Sequence, residues 1–252
     1  MDATLTAETI VTAAFLAFCR IGGCFLVMPG LASVRVPPQV RLFVAVAATG
    51  ALLVHLWDAI LPYASRRTDA LLLLIVSELL IGGLIGLMAR FYMLALQFIG
   101  SAVAMMIGYG GVIGPAIEEP EPQAAVAAII SFSALLLLFV LDFHHEIVKA
   151  LVASYEIAPP EILFNPQAAL VDLADTLSEA FFVVLRLGSP FVAYAIIVNL
   201  AIGFVNKLTP QIPVYFISMP FVITGGLILL YFGVSVFLTL FADGFLPTTI
   251  GR

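Results

Sequence analysis

Long apolar segments alternate with short polar ones along most of the chain. Six of them run approximately from Ile10 to Val34, Leu42 to Trp57, Ala70 to Ala89, Phe91 to Ile117, Gln123 to Leu141 and Ala180 to Val205. A seventh follows Lys207, since residues 208–242 contain no charged side chain. About 20 apolar residues allow a helix to cross the ~30 Å hydrocarbon layer of a bilayer. The pattern therefore predicts an all-α protein whose hydrophobic helices pair as hairpins.

Prolines interrupt the later apolar segments. Pro190 lies in the sixth segment, and Pro210, Pro213 and Pro220 lie in the seventh. Because proline lacks an N–H and clashes with the preceding helical turn, each one predicts a bend or an end of the helix. Backbone that is not helical at membrane depth persists only where protein or a water-filled cavity covers it. We therefore expect broken helices, kinked at proline and glycine, that need partner chains or line a pore.

The composition supports a membrane protein. The chain is 63% hydrophobic and 10% charged, with a mean hydropathy of +1.17, whereas soluble domains are about 25% charged. The net charge of -6 argues against a nucleic-acid partner, which requires a basic face. We expect one domain over residues 1–252, no cleaved signal peptide, and an interfacial helix in the polar stretch from Tyr155 to Asp175.

Charged residues lie within the apolar segments. The basic ones inside or at the edge of a segment are Arg20, Arg90 and Arg186. A charge at the bilayer centre costs a few kcal/mol, so these groups must pair within the fold or lie outside lipid. Glu78, Asp142 and His144 could form a proton relay, but salt bridges to the three arginines are the favoured interpretation.

A glycine-rich apolar run is the most unusual segment. It consists of Met105, Met106, Ile107, Gly108, Tyr109, Gly110, Gly111, Val112, Ile113, Gly114 and Pro115. Glycine costs about 1 kcal/mol relative to alanine in a helix, so we expect a loop or a broken helix here. Flexible apolar backbone beside methionine is suited to sealing a hole, and a plain helix–helix turn is the alternative interpretation. Three acids follow closely, Glu118, Glu119 and Glu121.

Metal and enzyme motifs are weak. Asp142, His144 and His145 lack the i, i+4 histidine spacing of a zinc site, and adjacent histidines diverge by roughly 100° on a helix. We therefore expect a hydrogen-bonded helix end there, with no metal and no cofactor. No nucleophile or phosphate-loop motif occurs, which predicts that the chain is not an enzyme.

Small residues suggest close helix packing. Gly82, Gly83 and Gly86, followed by Gly100, form a small-residue pattern that allows another helix to approach. Cys19 and Cys24 are five residues apart and point to different faces of a helix, so a disulfide between them is not expected.

The ordered series of residues resembles the FliR family of flagellar export-gate proteins, whose virulence counterpart is the T subunit of type III secretion. The matching positions include Arg20, Pro29, Arg41, Arg90, Gly100, Asp142, His144, Arg186, Pro190, Pro210, Gln211 and Pro220. Together with the glycine run they extend over nearly the whole chain. The resemblance implies a structural or assembly role for these twelve residues.

The resemblance also implies a function and partners. Residues of about 1–170 would be similar to the P subunit of the gate and about 171–252 to the Q subunit. One copy would join P and Q subunits and the B-type switch subunit in a helical assembly. That assembly would lie in the bacterial inner membrane at the flagellar basal body, much of it on the periplasmic side. The glycine run would plug the channel for unfolded exported proteins, with the acids beside it.

Three positions depart from the family pattern. Members commonly have Asp-Pro at Gly114-Pro115, asparagine at Pro213 and lysine at Val222.

Two other functions are alternatives to an export gate. A secondary transporter of a small solute is one alternative. The other is an intramembrane hydrolase that uses His144, Asp142 or Ser133.

Overall fold

The computed structural model describes residues 6–64, 68–115 and 122–250, with the side chains of residues 68, 69 and 243–250 left out of the description. In these ranges the regular secondary structure is helical, apart from one isolated β-bridge between Ile113 and Ala124. The α-helices are α1 Ala7–Val27, α2 Pro38–Ile60, α3 Thr68–Met106, α4 Ala125–Val140, α5 Phe143–Ile157, α6 Pro166–Leu208 and α7 Val214–Ile250. A short 3₁₀ helix, Leu61–Tyr63, follows α2. The predicted all-α class is confirmed.

Two predicted segments prove to be one helix. The sequence pattern separated Ala70–Ala89 from Phe91–Ile117, but α3 runs without interruption through Arg90. Arginine lowers the local hydropathy yet is a good helix former, so it marks a polar position rather than a break in the backbone. The non-helical part of the glycine run begins only after Met106, which confirms the predicted loop at that end.

The prolines act in two ways. Pro210 and Pro213 lie in the connection between α6 and α7, so the predicted end of a helix is confirmed there. Pro190 lies inside α6, and Pro220 lies inside α7, and both helices continue through them. A proline removes one backbone hydrogen bond, which the flanking turns of a long helix can tolerate.

The prediction of a separate interfacial helix between Tyr155 and Asp175 is wrong. That stretch contains the end of α5, an eight-residue connection over 158–165 and the first turns of α6. Asn165 begins α6, because its Oδ1 accepts hydrogen bonds from the N–H groups of Gln167 and Ala168 at 3.0 and 3.3 Å. Asparagine is among the preferred residues at a helix N-cap.

The chain divides into two compact units. The first contains the described parts of Met1–Phe91, Asp142–Leu177 and Pro247–Arg252. Within it, α1 packs along α2, and α2 also contacts α5. Its fully buried side chains include Leu16, Arg20, Ile21, Ile60 and Leu74. This unit therefore has its own core, built around α1.

The second unit contains the described parts of Tyr92–Leu141 and Ser178–Leu246. In it, the C-terminal part of α3 packs on α4 where Gly100 faces Ala127, whose Cα would lie 3.1 Å from a Cβ at Gly100. The hydroxyl of Tyr194 on α6 donates to the carbonyl of Val222 on α7 at 2.7 Å. Its fully buried side chains include Tyr92, Met93, Leu96, Ile107, Ile130 and Phe241.

Five of the described helices are long and apolar enough to cross a membrane, or six if α4 and α5 together form one span. α6 has 43 residues and at ~1.5 Å per residue follows a path of about 65 Å. This is roughly twice the ~30 Å hydrocarbon thickness, and tilts of up to about 40° do not absorb the difference. Part of α6 therefore lies outside the hydrocarbon layer of any bilayer that it crosses.

Candidate functional site

The glycine-rich loop, residues 107–115, begins with a tight helix end. Gly108 has φ of 77°, in the left-handed region that glycine adopts without a steric penalty. The N–H of Tyr109 donates to the carbonyl of Ala104 at 2.8 Å, and that of Gly108 donates to Met105 at 3.1 Å. This pair of bonds is the Schellman arrangement, which closes a helix on a C-terminal glycine. α3 therefore stops at a defined place, and the chain turns sharply away.

The first anchor of the loop lies on α7. Ile107 is fully buried, and a Cβ built on Gly226 of α7 would overlap its side chain. A Cβ at Gly108 would also touch Ile223 of α7 at 3.5 Å. Glycine at 226 thus allows Ile107 to lie directly on the backbone of α7, and this contact fixes the start of the loop.

The second anchor lies on the start of α4. The N–H of Gly114 donates to the carbonyl of Gln123, and the N–H of Ala125 donates to the carbonyl of Val112, both at 2.7 Å. A Cβ at Gly114 would lie 2.7 Å from the Cα of Ala125, so only glycine fits this approach. The two bonds form an antiparallel bridge that holds the far end of the loop.

The side chains on the far half of the loop are exposed and apolar. Val112 is 43% exposed and Ile113 is 77% exposed, and Met105 at the preceding helix end is 68% exposed. The run from Met105 to Pro115 contains no charged residue. The backbone of Val112 and Ile113 is held by the bridge to Ala124 and Ala125, so the anchored loop presents their side chains as an uncharged, apolar surface. Glu118, Glu119 and Glu121, predicted to lie beside it, are outside the described residues.

A buried charge cluster organises the first unit. The Nε and Nη2 groups of Arg20 donate to the two carboxylate oxygens of Glu78, each at 2.7 Å. Its Nη1 donates to Ser154 Oγ at 3.0 Å, and Nη2 also donates to the carbonyl of Ala158 at 2.8 Å. The guanidinium carbon lies 3.8 Å from the ring centroid of Tyr155. Arg20 is 0% exposed and Glu78 is 1% exposed, so the predicted pairing of Glu78 with an arginine is confirmed.

Glycines bring α1 and α3 close enough for this pair. A Cβ at Gly82 would overlap the carbonyl of Arg20, and a Cβ at Gly86 would lie 2.5 Å from the carbonyl of Cys24. Gly83 faces open space. The small-residue pattern therefore packs against α1 of the same chain, along the i, i+4 face of Gly82 and Gly86.

Asp142 forms ion pairs with histidines and none with Arg20, Arg90 or Arg186, which are all described, so that prediction is wrong. It lies between α4 and α5 in the left-handed conformation, with φ of 56°. Its carboxylate is 3.5 Å from His145 Nδ1 and 3.9 Å from His144 Nε2. One ligand atom from each of the three residues falls within 4.8 Å of the others, which histidines adjacent in sequence were not expected to allow. All three side chains are solvent-accessible, and the tight turn at Asp142 explains their proximity.

The remaining predicted residues occupy helices and turns of the two units. Pro29 is buried in the turn after α1, and Arg41 in the first turn of α2 donates to the carbonyl of Leu31 at 2.9 Å. Arg90 is half-buried in α3, and Arg186 is exposed on α6. Pro210 and Gln211 are exposed in the turn between α6 and α7. The cysteines Cys19 and Cys24 are buried and unbonded, as expected.

Sequence reasoning gave no role to several residues that matter here. Ser154 lies 134 positions from Arg20 and carries no charge, so nothing in the pattern predicts their contact. The Ala158 partner is a backbone carbonyl, which every residue has. Gly226 lies in an apolar helix, as several other glycines do. Only its contact with Ile107 distinguishes it from them.

The fold and these sites define a helical membrane protein whose spans enclose a buried ion pair and support an apolar loop. Residues 11–247 match the family described as bacterial export proteins, family 1, so the chain belongs to that family. It is 29% identical over 239 residues to the flagellar biosynthetic protein FliR of Caulobacter vibrioides, covering 93% of each chain. The FliR of Bacillus subtilis is 26% identical over 88% of this chain and 85% of its own. That of Escherichia coli is 27% identical over 80% and 76%.

Proposed function

We propose that this chain is a core subunit of the flagellar protein export gate and that the glycine-rich loop closes its channel. Family membership and the FliR relatives support the first part. The observation that supports the second is the loop itself, which is anchored at Ile107 and Gly114 with an apolar, exposed middle. A plain helix–helix turn would not need two separate anchors for so short a segment.

The geometry suggests how such a loop opens. The anchor at Ile107 rests on buried apolar contact, whereas the anchor at Gly114 rests on two backbone hydrogen bonds. Each of the two bonds contributes about 1 kcal/mol net and they can break one at a time, whereas burial of an isoleucine contributes about 1.5–3 kcal/mol as a unit, so the bridge is the weaker anchor. A passing chain would release the bridge first, and the loop would swing about Gly108 while Ile107 holds. Uncharged apolar constrictions exclude ions by dewetting, and methionine adapts to any side chain that passes.

Deleting Gly108–Gly114 is expected to raise ion leakage through the assembled gate, because the deletion removes the exposed apolar side chains of the loop together with its second anchor. Conductance or dye flux across vesicles that contain the assembled complex measures this. As a matched control, replacing Val112 and Ile113 by alanine keeps the chain length and both anchors, and should leave leakage much lower than the deletion does. Unchanged leakage from a deletion variant that assembles normally would contradict the closing role.

The proposed assembly is supported by the exposure of α7. Only 11% of an apolar 18-residue stretch of α7 is buried against the rest of the described chain. Large aromatic side chains remain exposed on this helix, among them Phe216, Phe221, Tyr231 and Phe232. We assign these faces to the P-like and Q-like subunits and to lipid of the inner membrane, with the B-type subunit as a further partner. In the same proposal residues 1–170 and 171–252 are the P-like and Q-like halves, and Glu118, Glu119 and Glu121 pin the loop to basic groups of neighbouring subunits.

Expression of the chain alone is expected to yield polydisperse or degraded protein, because the apolar faces of α7 have no partner. Co-expression with the P-like and Q-like subunits should yield one co-eluting complex. Size-exclusion chromatography in detergent with light scattering distinguishes the two results. A well-behaved solitary protein that moves a small solute in proteoliposomes would favour the transporter instead.

A further inference from the structure

A cavity of about 460 Å³ lies in the second unit beside the glycine-rich loop. α3 contributes Leu94, Gln97, Phe98 and Met105 to its lining, and the chain before α4 contributes Gln123. Phe98 and Met105 are 62% and 68% exposed, so the cavity is open at that rim. Its volume falls in the range of about 300–1,000 Å³ that is typical of ligand sites, which accommodates a short stretch of extended chain.

Two amide side chains in this cavity have hydrogen-bonding groups without partners in the part of the chain that the structure describes. Gln97 is 9% exposed, and its Nε2 has no hydrogen-bond partner among the described residues. The same holds for both Nε2 and Oε1 of Gln123, whose atoms are buried although the residue is half-exposed. Buried polar groups are nearly always hydrogen-bonded, and each unmet one is destabilising. The two residues line the cavity, and their three unpaired atoms are buried beneath its surface, so rotation of the amide side chains would present two donors and one acceptor to an occupant.

The chemistry of these groups selects the occupant. The amides are uncharged and the surrounding side chains are largely apolar, which disfavours an ion or a charged solute. Paired donors and acceptors match the C=O and N–H of a peptide group. Recognition through the main chain gives affinity without regard to side-chain sequence, as in strand addition.

An unfolded chain fits this requirement better than a folded partner. In a folded helix the peptide groups are bonded internally, so a partner helix offers only side chains. An extended chain has free N–H and C=O groups, and an apolar channel removes the water that would otherwise satisfy them.

We propose that Gln97 and Gln123 bind the main chain of an exported polypeptide as it passes the glycine-rich loop. This rests on the proposed function and assigns to the same site a sequence-independent peptide contact. Gln123 is well placed for it, because its own carbonyl accepts the bridge bond from Gly114. Release of that bridge and capture of the passing chain occur at one residue.

Gln97→Met and Gln123→Met test the proposal in the assembled gate. Methionine matches glutamine in length but removes the amide, so each variant should assemble with equal or higher thermal stability and unchanged leakage. Export of a flagellar substrate should fall about fivefold for each lost hydrogen bond. Gln167→Met, at the exposed start of α6, is the matched control and should export normally. Wild-type export by both cavity variants, or a loss of stability that accompanies the export defect, would overturn the proposal.

Photo-cross-linking separates this inference from the proposed function. A photoreactive amino acid replaces Phe98 at the cavity rim or Ile113 in the loop, and export is stalled with a substrate fused to a folded domain that cannot pass. We expect both positions to cross-link to the substrate, and the Phe98 product to decrease when Gln97→Met is added. Substrate cross-links from Ile113 alone would refute the peptide contact and leave the closing role intact. No substrate cross-link from either position would refute both.

Discussion

Arg20→Ala is expected to prevent the first unit from folding stably. It leaves Glu78, which is 1% exposed, without its bidentate partner, and breaking a buried ion pair in this way costs about 3–5 kcal/mol. It also removes the bonds to Ser154 and to the carbonyl of Ala158, which attach the end of α5 to α1. The measurement is the yield of the assembled complex together with its thermal unfolding in detergent.

Two further variants identify the cause of this defect. The double variant Arg20→Met with Glu78→Leu replaces the pair by apolar side chains of similar size and should recover most of the stability, since such replacements are often neutral. Lys149→Ala breaks the exposed pair with Glu146, at 2.8 Å in the same unit, and should have little effect, because an exposed pair contributes at most about 1 kcal/mol. A normal unfolding temperature for Arg20→Ala, or a double variant no better than the single one, would show that the pair does not hold the unit together.

Gly226→Ala is expected to displace the glycine-rich loop and to raise leakage through the gate. The new Cβ would overlap the Ile107 side chain close to its backbone, where a rotamer change gives no relief. Overpacking of this kind costs about 1–3 kcal/mol. Each 1.4 kcal/mol changes a population tenfold, so the fraction of open loop should rise by roughly five- to 140-fold.

Gly233→Ala is the matched control, because it makes the same change on the same helix at a glycine with nothing within 4 Å of the new Cβ. It should retain wild-type leakage. Both variants should assemble equally well, which native gel analysis of the purified complex verifies. Equal leakage from the two variants would mean that the contact between Ile107 and α7 does not hold the loop closed.

Several elements of this protein are already evident in the order of its residues. Uninterrupted apolar runs predict helices, because a backbone in an apolar environment must satisfy its own hydrogen bonds. The glycines from Gly108 to Gly114 predict a loop, because glycine is unfavourable in a helix. The buried charges Arg20 and Glu78 predict a pair, because neither is stable alone in an apolar unit.

Only the tertiary structure decided which partners these groups meet. Continuity of α3 through Arg90 depends on helix propensity and packing rather than on hydropathy, so the pattern divided one helix into two. The contacts of Arg20 with Ser154, and of Ile107 with Gly226, join residues far apart in the chain. Such contacts depend on which helix faces meet, and local residue preferences are the same for many possible pairings of apolar helices. The residue order thus determined that this chain forms apolar helices around a loop, and their packing determined where the loop is held.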